Sequence, residues 1–134
     1  MCGINGIYST SVKDRNQIVG KMNEELDHRG PDAQDVFESE ELTLGHTRLK
    51  IIDLSDSANQ PMTCAFDRFV LVFNGEIYNY KELKAALPDY PFRTESDTEV
   101  ILAAYHAYGE EAISKIEGQF AFAIWDKKDR ELIL

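Results

Sequence analysis

The sequence predicts an α+β domain in which stacked β-sheets lie between layers of helices. Two continuous apolar runs, at residues 69–73 and 120–125, favour strands that are covered on both faces. Segments whose apolar residues recur at helical spacing lie before and between these runs. Sheets of this kind need a packing layer on each side, so stacked sheets with helices outside them are expected.

The first part of the chain predicts a strand, a helix and a loop. The strand covers about residues 4–8, and the helix covers about residues 14–27 with Asp14 as its N-cap. The loop at 28–32, with the sequence HRGPD, breaks the helix. The buried face of the helix is expected to carry Ile18, Val19, Met22 and Leu26.

The middle of the chain predicts extended structure and a surface loop. Apolar pairs near 36–37 and 42–44 indicate the two strands of a hairpin, and 47–53 continues as extended chain. The polar, turn-rich stretch 55–61 is expected to lie on the surface.

Two N-cap patterns predict helices in the second half. Asn79 followed by Glu82 predicts a short helix that ends before Pro88. Ser96 followed by Glu99 predicts a capping box that opens a longer helix, which ends at a glycine. The buried face of this longer helix is expected to carry Val100, Ile101, Ala104 and Tyr108.

The last predicted elements are a turn at 126–130 and a strand from residue 131. This strand has no stop signal in the sequence. The sandwich is therefore expected to be C-terminally truncated, with its remaining strands farther along a longer protein.

Composition excludes several classes of function. The 134 residues predict one domain, and their net charge of -10, without a basic stripe, argues against a nucleic-acid partner. No stretch approaches the ~20 apolar residues of a membrane span. Two cysteines far apart in sequence favour a reducing, cytoplasmic location. The three histidines lack zinc-ligand spacing with the cysteines, so no metal site is expected.

Cys2 is a candidate nucleophile because it becomes the first residue when Met1 is removed. It then carries a thiol and a free α-amine, which titrates near ~7.7–8.0 and can serve as the general base for its own side chain. The alternative is a small buried hydrophobic residue beside the start codon.

Asn74 and Gly75 are candidate oxyanion donors. They follow the apolar run 69–73, and the end of that predicted strand is expected to present them to a cleft. An amide side chain and a glycine N–H are neutral donors, and the absence of a Cβ lets a substrate approach closely. The alternative is an Asn-Gly hairpin turn, although no matching strand follows.

Arg48 and Asp97 supply opposite charges. An arginine fork can hold a carboxylate, and a carboxylate in the first turn of a helix can hold an ammonium group. Together they suit the charged ends of an α-amino acid. The alternatives are a surface salt bridge for Arg48 and simple compensation of the helix dipole for Asp97.

Seven ordered motifs resemble the glutaminase domain of asparagine synthetases, within the class II, or N-terminal nucleophile, glutamine amidotransferases. The resemblance covers essentially the whole chain, as the N-terminal part of such a domain. The motifs are MCGI at 1–4, HRGPD at 28–32, TRLKIIDL at 47–54, NQPM at 59–62, FNGEIYNY at 73–80, SDTEVIL at 96–102 and GQFAFAIWD at 118–126.

The resemblance implies a four-layer α/β/β/α sandwich and a glutaminase reaction. Cys2 would attack the side-chain amide of L-glutamine to give a γ-glutamyl thioester and ammonia, and water would then release glutamate. The oxyanion hole would be the Asn74 side chain and the Gly75 amide. The HRGPD motif would shape a loop without a catalytic role.

The resemblance also implies a substrate clamp and a partner. Arg48 would bind the α-carboxylate of glutamine, with Glu76 and Asp97 near its α-amino group. No cofactor is expected in this domain. ATP and Mg²⁺ are expected only in a synthetase module, which would receive the ammonia, most commonly for asparagine synthesis. That module is expected to lie outside these 134 residues.

Other interpretations stay open. A chain that retains Met1 or lacks the missing strands is expected to be inactive, and the oligomeric state is open, a homo-oligomer included. The chain could be a catalytically silent binding or regulatory module of the same fold. It could also be another N-terminal nucleophile amidohydrolase, which the Arg48 and Asp97 pair argues against.

Overall fold

The computed structural model describes residues 1–134 as two antiparallel sheets. The first sheet has the order β1-β3-β2 and the second β4-β5-β6-β7. The strands are β1 (Gly3–Tyr8), β2 (Ala33–Glu38), β3 (Leu42–Arg48), β4 (Met62–Thr63), β5 (Phe69–Ile77), β6 (Gly118–Asp126) and β7 (Glu131–Ile133). The α-helices are α1 (Arg15–Glu25), α2 (Tyr80–Ala85) and α3 (Asp97–Tyr108), with 3₁₀ helices at Asp56–Ala58 and Gly109–Lys115.

Strand β5 separates the two parts of the hydrophobic core. Val70 and Val72 face the first sheet and pack with Leu42 and Leu44 of β3. Leu71, on the opposite face, packs in the larger core that α3 covers. Helix α1 packs on the outer face of the first sheet. The predicted arrangement of stacked sheets between helical layers is therefore confirmed.

The buried face of α1 differs from the prediction. Ile18 is 39% exposed, whereas the buried residues of this helix are Arg15, Val19 and Asn23. A polar face is stable here because Arg15 Nε donates to Thr43 Oγ1 at 3.2 Å and Asn23 Nδ2 donates to the Asp35 carbonyl at 3.0 Å. Asp14 occupies the N-cap position but makes no side-chain capping bond, contrary to the prediction.

The prediction that the Asn79 side chain caps α2 is also wrong. Asn79 occupies the N-cap position, yet its side chain makes no capping bond. Its amide instead accepts from Glu117 N at 3.0 Å and donates to the Lys115 carbonyl at 2.9 Å. The side chain thus fastens α2 to the segment that leads into β6.

The capping box of α3 is half correct. Ser96 caps the helix by accepting from Thr98 N at 3.1 Å. Glu99 does not reach back to Ser96, because it accepts from Thr94 N and Oγ1, each at 2.7 Å. On the predicted buried face, Tyr108 is 37% exposed.

Three further predictions need correction. The segment 55–61 is not simply a surface loop, because Ala58 and Gln60 are buried within it. The predicted strand 69–73 continues to Ile77, paired with β6 along its whole length. Only the second half of β6 is buried, so the covering of both faces predicted for 120–125 is incomplete. None of the helices has both the length and the apolar composition that crossing a membrane requires.

Candidate active site

All six residues predicted to act on a substrate line one cleft of about 210 Å³. The cleft lies where the start of β1, the end of β3, the second half of β5 and the first turn of α3 meet. The six residues are Cys2, Arg48, Asn74, Gly75, Glu76 and Asp97.

Cys2 is held at the cleft by main-chain contacts. It is half-buried, and Leu49 N donates to its Sγ at 3.4 Å. Arg29 Nε donates to the Cys2 carbonyl at 3.0 Å. The family resemblance implied only a loop-shaping role for the motif around Arg29, and no local pattern indicates a contact across 27 residues. Arg29 therefore anchors the chain of the candidate nucleophile.

The Gly75 N–H faces the cleft because of its place in β5. Strand β4 pairs only with Val70 and Leu71, so from Phe73 onward β5 has a partner strand on one side only. On the other side, Phe73 N donates to Gln60 Oε1 at 2.6 Å and Ile77 N donates to Asp97 Oδ2 at 3.1 Å. N–H groups two residues apart on a strand point to the same edge, so the Gly75 N–H points away from β6.

Glycine at position 75 is also required by the neighbouring strand. A Cβ added there would lie 2.6 Å from Phe120 Cα and would collide with the Gln119 carbonyl oxygen. The sequence attributed the missing Cβ to the approach of a substrate. The structure adds the close approach of β6 as an independent reason.

Asn74 lines the cleft with a partly buried side chain. Its Oδ1 is buried and has no hydrogen-bond partner. An unsatisfied buried acceptor costs roughly 1–3 kcal/mol, and buried polar groups are nearly always hydrogen-bonded, so this oxygen is an exception in the fold.

Arg48 is a buried cation without a counter-ion. It is 4% exposed, and no carboxylate lies within ion-pair distance of its guanidinium. Its Nη1 donates to the Ser55 carbonyl and to Asn59 Oδ1, each at 2.7 Å, and its Nη2 donates to the Asp53 carbonyl. Of the five guanidinium N–H groups, one on Nε and one on Nη2 remain free. The surface salt bridge considered from the sequence is absent.

Asp97 is the matching unpaired anion. It is the first residue of α3 and is 5% exposed, and burial raises the pKa of its carboxyl group. No cation pairs with it. Glu76 is exposed at the rim of the cleft and forms no ion pair either. One cleft therefore contains a buried cation and a buried carboxylate that form no ion pairs, a thiol and a free main-chain N–H. No cluster of three or more potential metal ligands occurs in the structure.

Known proteins are similar to this chain in sequence and in fold. The chain is 43% identical to asparagine synthetase [glutamine-hydrolyzing] 1 of Bacillus subtilis, over 98% of this chain and 22% of that protein. It is 38% identical to a putative asparagine synthetase [glutamine-hydrolyzing] 2 of Methanocaldococcus jannaschii, over 96% of this chain and 28% of that protein. A glutamine phosphoribosylpyrophosphate amidotransferase from B. subtilis has the same fold, with a TM-score of 0.78 at 20% identity over 94% of this chain and 35% of that one.

One family model matches the whole length of this chain. The chain itself spans only 22% to 28% of the length of those two curated relatives. The family model of the glutamine amidotransferase domain matches residues 1–134. The similarity to the solved amidotransferase supports the same α/β sandwich. The chain therefore belongs to the glutamine amidotransferase domain family.

Proposed function

We propose that this domain hydrolyses L-glutamine to glutamate and ammonia, with Cys2 as the nucleophile. The observation that carries the proposal is the pair of unpaired opposite charges, Arg48 and Asp97, in the cleft that also contains Cys2. A free α-amino acid supplies the two missing counter-ions at once. Its side-chain amide can then extend toward the thiol.

Substrate binding uses the donors that the fold leaves free. The free Nε and Nη2 N–H groups of Arg48 form a fork for the α-carboxylate. The Asp97 carboxylate, with Glu76 nearby, accepts from the α-ammonium group, and this cation lowers the raised pKa of Asp97. Neutralising both buried charges makes binding selective for a substrate with both termini free.

The acylation step forms a bond from Cys2 Sγ to the amide carbon of glutamine. The thiol proton passes to the Cys2 α-amine, which is free once Met1 has been removed. The carbonyl electron pair moves onto oxygen, where the Gly75 N–H and the Asn74 amide stabilise the negative charge. Collapse of this intermediate breaks the carbon–nitrogen bond, and the proton from the α-ammonium leaves with the nitrogen as ammonia.

Deacylation follows the same steps with water as the nucleophile. The α-amine takes a proton from water while the oxygen adds to the thioester carbon, and the same donors stabilise the second oxyanion. Collapse then breaks the carbon–sulfur bond, the thiolate recovers the proton, and glutamate is released. The chemistry needs no cofactor in this domain.

The ammonia is proposed to pass to an ATP-dependent, Mg²⁺-requiring synthetase module in a longer protein, with asparagine as the product. The two curated relatives named above support this extension, since both are named as glutamine-hydrolysing asparagine synthetases. A chain without that module is expected to release ammonia and to make no amidated product.

The test is glutamine turnover by protein whose N-terminal residue is Cys2, as verified by mass spectrometry. We expect equal amounts of ammonia and glutamate, no turnover by Cys2→Ala, and retained glutamine binding by Cys2→Ala in calorimetry. N-acetyl-glutamine, which lacks the ammonium group, is expected to be a poor substrate. Tight binding of glutamine without turnover would instead indicate a silent binding module, and equal hydrolysis of both compounds would contradict the clamp.

A further inference from the structure

We propose that Gln60 and His46 are positioning residues that hold the backbone N–H and the backbone C=O of Phe73, respectively, and thereby fix the oxyanion donors of the next two residues. The inference rests on the proposed function. It assigns a role to two buried polar side chains that make no contact with the substrate in the proposed mechanism.

Gln60 replaces a missing partner strand. It is 5% exposed, and its Oε1 accepts from Phe73 N at 2.6 Å. Its Nε2 donates to Thr98 Oγ1 at 3.3 Å, so both ends of the amide are bonded. Beyond the short strand β4, no other strand covers this edge of β5. Gln60 therefore supplies the acceptor that a sheet partner would otherwise provide.

His46 holds the carbonyl group of the same residue, Phe73, from the first sheet. It is completely buried in β3, and its Nε2 lies 3.1 Å from the Phe73 carbonyl oxygen. A carbonyl oxygen can only accept, so Nε2 carries the proton and donates. Burial, with a smaller contribution from Arg48, lowers the pKa of His46 to about 4, so the ring is neutral near pH 7. Its Nδ1 has no partner, and the Phe73 contact is the only hydrogen bond of the ring.

The position of the Phe73 backbone bears directly on the chemistry. Phe73 immediately precedes Asn74, and its N–H lies on the same edge of β5 as the Gly75 N–H. Asp97 fixes the other side of Gly75 by accepting from Ile77 N. The unpaired N–H of Gly75 thus lies between two N–H groups, those of Phe73 and Ile77, that are held by side-chain hydrogen bonds. A displacement of about 1 Å at such a donor can cost about a hundredfold in rate.

Gln60 also connects the oxyanion donors with the substrate clamp. Its neighbour Asn59 accepts from Arg48 Nη1, and Gln60 itself bonds Thr98, which follows Asp97. The pair Asn59–Gln60 therefore contacts Arg48, which is proposed to bind the substrate carboxylate, strand β5, which carries the oxyanion donors, and the first turn of α3. This arrangement sets the distance between the Arg48 and Asp97 clamp and the oxyanion donors of β5.

The experiment compares Gln60→Met with wild type, both with Cys2 as the N-terminal residue. Methionine has a similar length and shape but removes the acceptor for Phe73 N. We expect kcat for glutamine to fall by about tenfold to a hundredfold while KM changes by less than about twofold. Alkylation of Cys2 by iodoacetamide forms no oxyanion, so its rate is expected to stay within about twofold of wild type. Unchanged kcat, or parallel losses in turnover and alkylation, would overturn the inference.

His46 provides a second arm that does not depend on the folding of the Gln60 variant. His46→Gln can place its amide nitrogen near the position of Nε2 and keep a donor, whereas His46→Leu cannot. We expect kcat to fall in the leucine variant and to be largely restored in the glutamine variant, with similar KM values. Equal kcat values for the two variants would overturn the inference. Absence of turnover in wild type would refute the proposed function itself, and with it this inference.

Discussion

Replacing His46 with glutamine is expected to change how the stability of the domain depends on pH. The wild-type imidazole is buried, neutral and able to donate to the Phe73 carbonyl. Glutamine keeps a donor at this position but cannot be protonated. The comparison therefore isolates the free energy linked to protonation of one side chain.

The magnitude follows from the difference between the folded and unfolded states. The pKa of His46 falls from 6.5 to about 4, mainly because burial disfavours the charged ring. Between pH 6.5 and pH 4, the imidazole of His46 is protonated in the unfolded chain but largely neutral in the folded chain. The free energy of unfolding therefore decreases as the pH falls from 6.5 toward 4. At about 1.4 kcal/mol for each tenfold difference in proton affinity, this loss is about 2 kcal/mol at pH 5 and about 3 kcal/mol at pH 4.

The assay is urea denaturation of wild type and His46→Gln at a series of pH values from 7 to 4, followed by tryptophan fluorescence. The raised pKa of Asp97 acts in the opposite direction, favouring the folded state on acidification, but it is common to both proteins and cancels in their difference. We expect the free energy of unfolding to fall more steeply on acidification in wild type. Parallel curves over this range would refute the assignment of a neutral, buried His46.

Three further predictions concern the cleft and its supporting strand. Asn74→Ala is expected to lower kcat by about 10²–10³ with little change in KM, and intact turnover in steady-state assays would remove it from the oxyanion hole. Arg48→Lys keeps the charge but loses the fork, so KM for glutamine should rise by about tenfold to a hundredfold, corresponding to about 1.5–3 kcal/mol; an unchanged KM would contradict the carboxylate clamp. Gly75→Ala is expected to lower the free energy of unfolding by about 1–3 kcal/mol because a Cβ would collide with Phe120, and unchanged urea denaturation would contradict the register of β5 and β6.

The sequence predicted the layers of the fold because they depend on patterns within short segments. The apolar run at 69–73 indicated a doubly covered strand, and the structure places α3 on one face and the first sheet on the other. The site residues were identified from residue types together with the family resemblance. The structure brings them into one cleft, and their individual roles stay predictions for the kinetic tests.

Several of the errors share one physical cause, which is hydrogen bonding between residues far apart in sequence. Gln60 lies in a polar, turn-rich stretch, but it is buried because its amide bonds the unpaired edge of β5 and Thr98 of α3. Asn79 looks like a helix cap but bonds the chain near residue 116. Ile18 was placed in the core by periodicity, whereas the sheet beneath α1 offers partners for Arg15 and Asn23. Patterns within a short segment cannot predict these partners, because the partners lie in other segments of the chain.

The most direct test of the mechanism is to acid-quench the processed protein during glutamine turnover and analyse its N-terminal peptide by mass spectrometry. The thioester mechanism predicts a transient adduct of one glutamyl group on Cys2, absent from Cys2→Ala and converted to γ-glutamyl hydroxamate by hydroxylamine. Release of ammonia from glutamine with no such adduct, under conditions that trap thioesters, would contradict it.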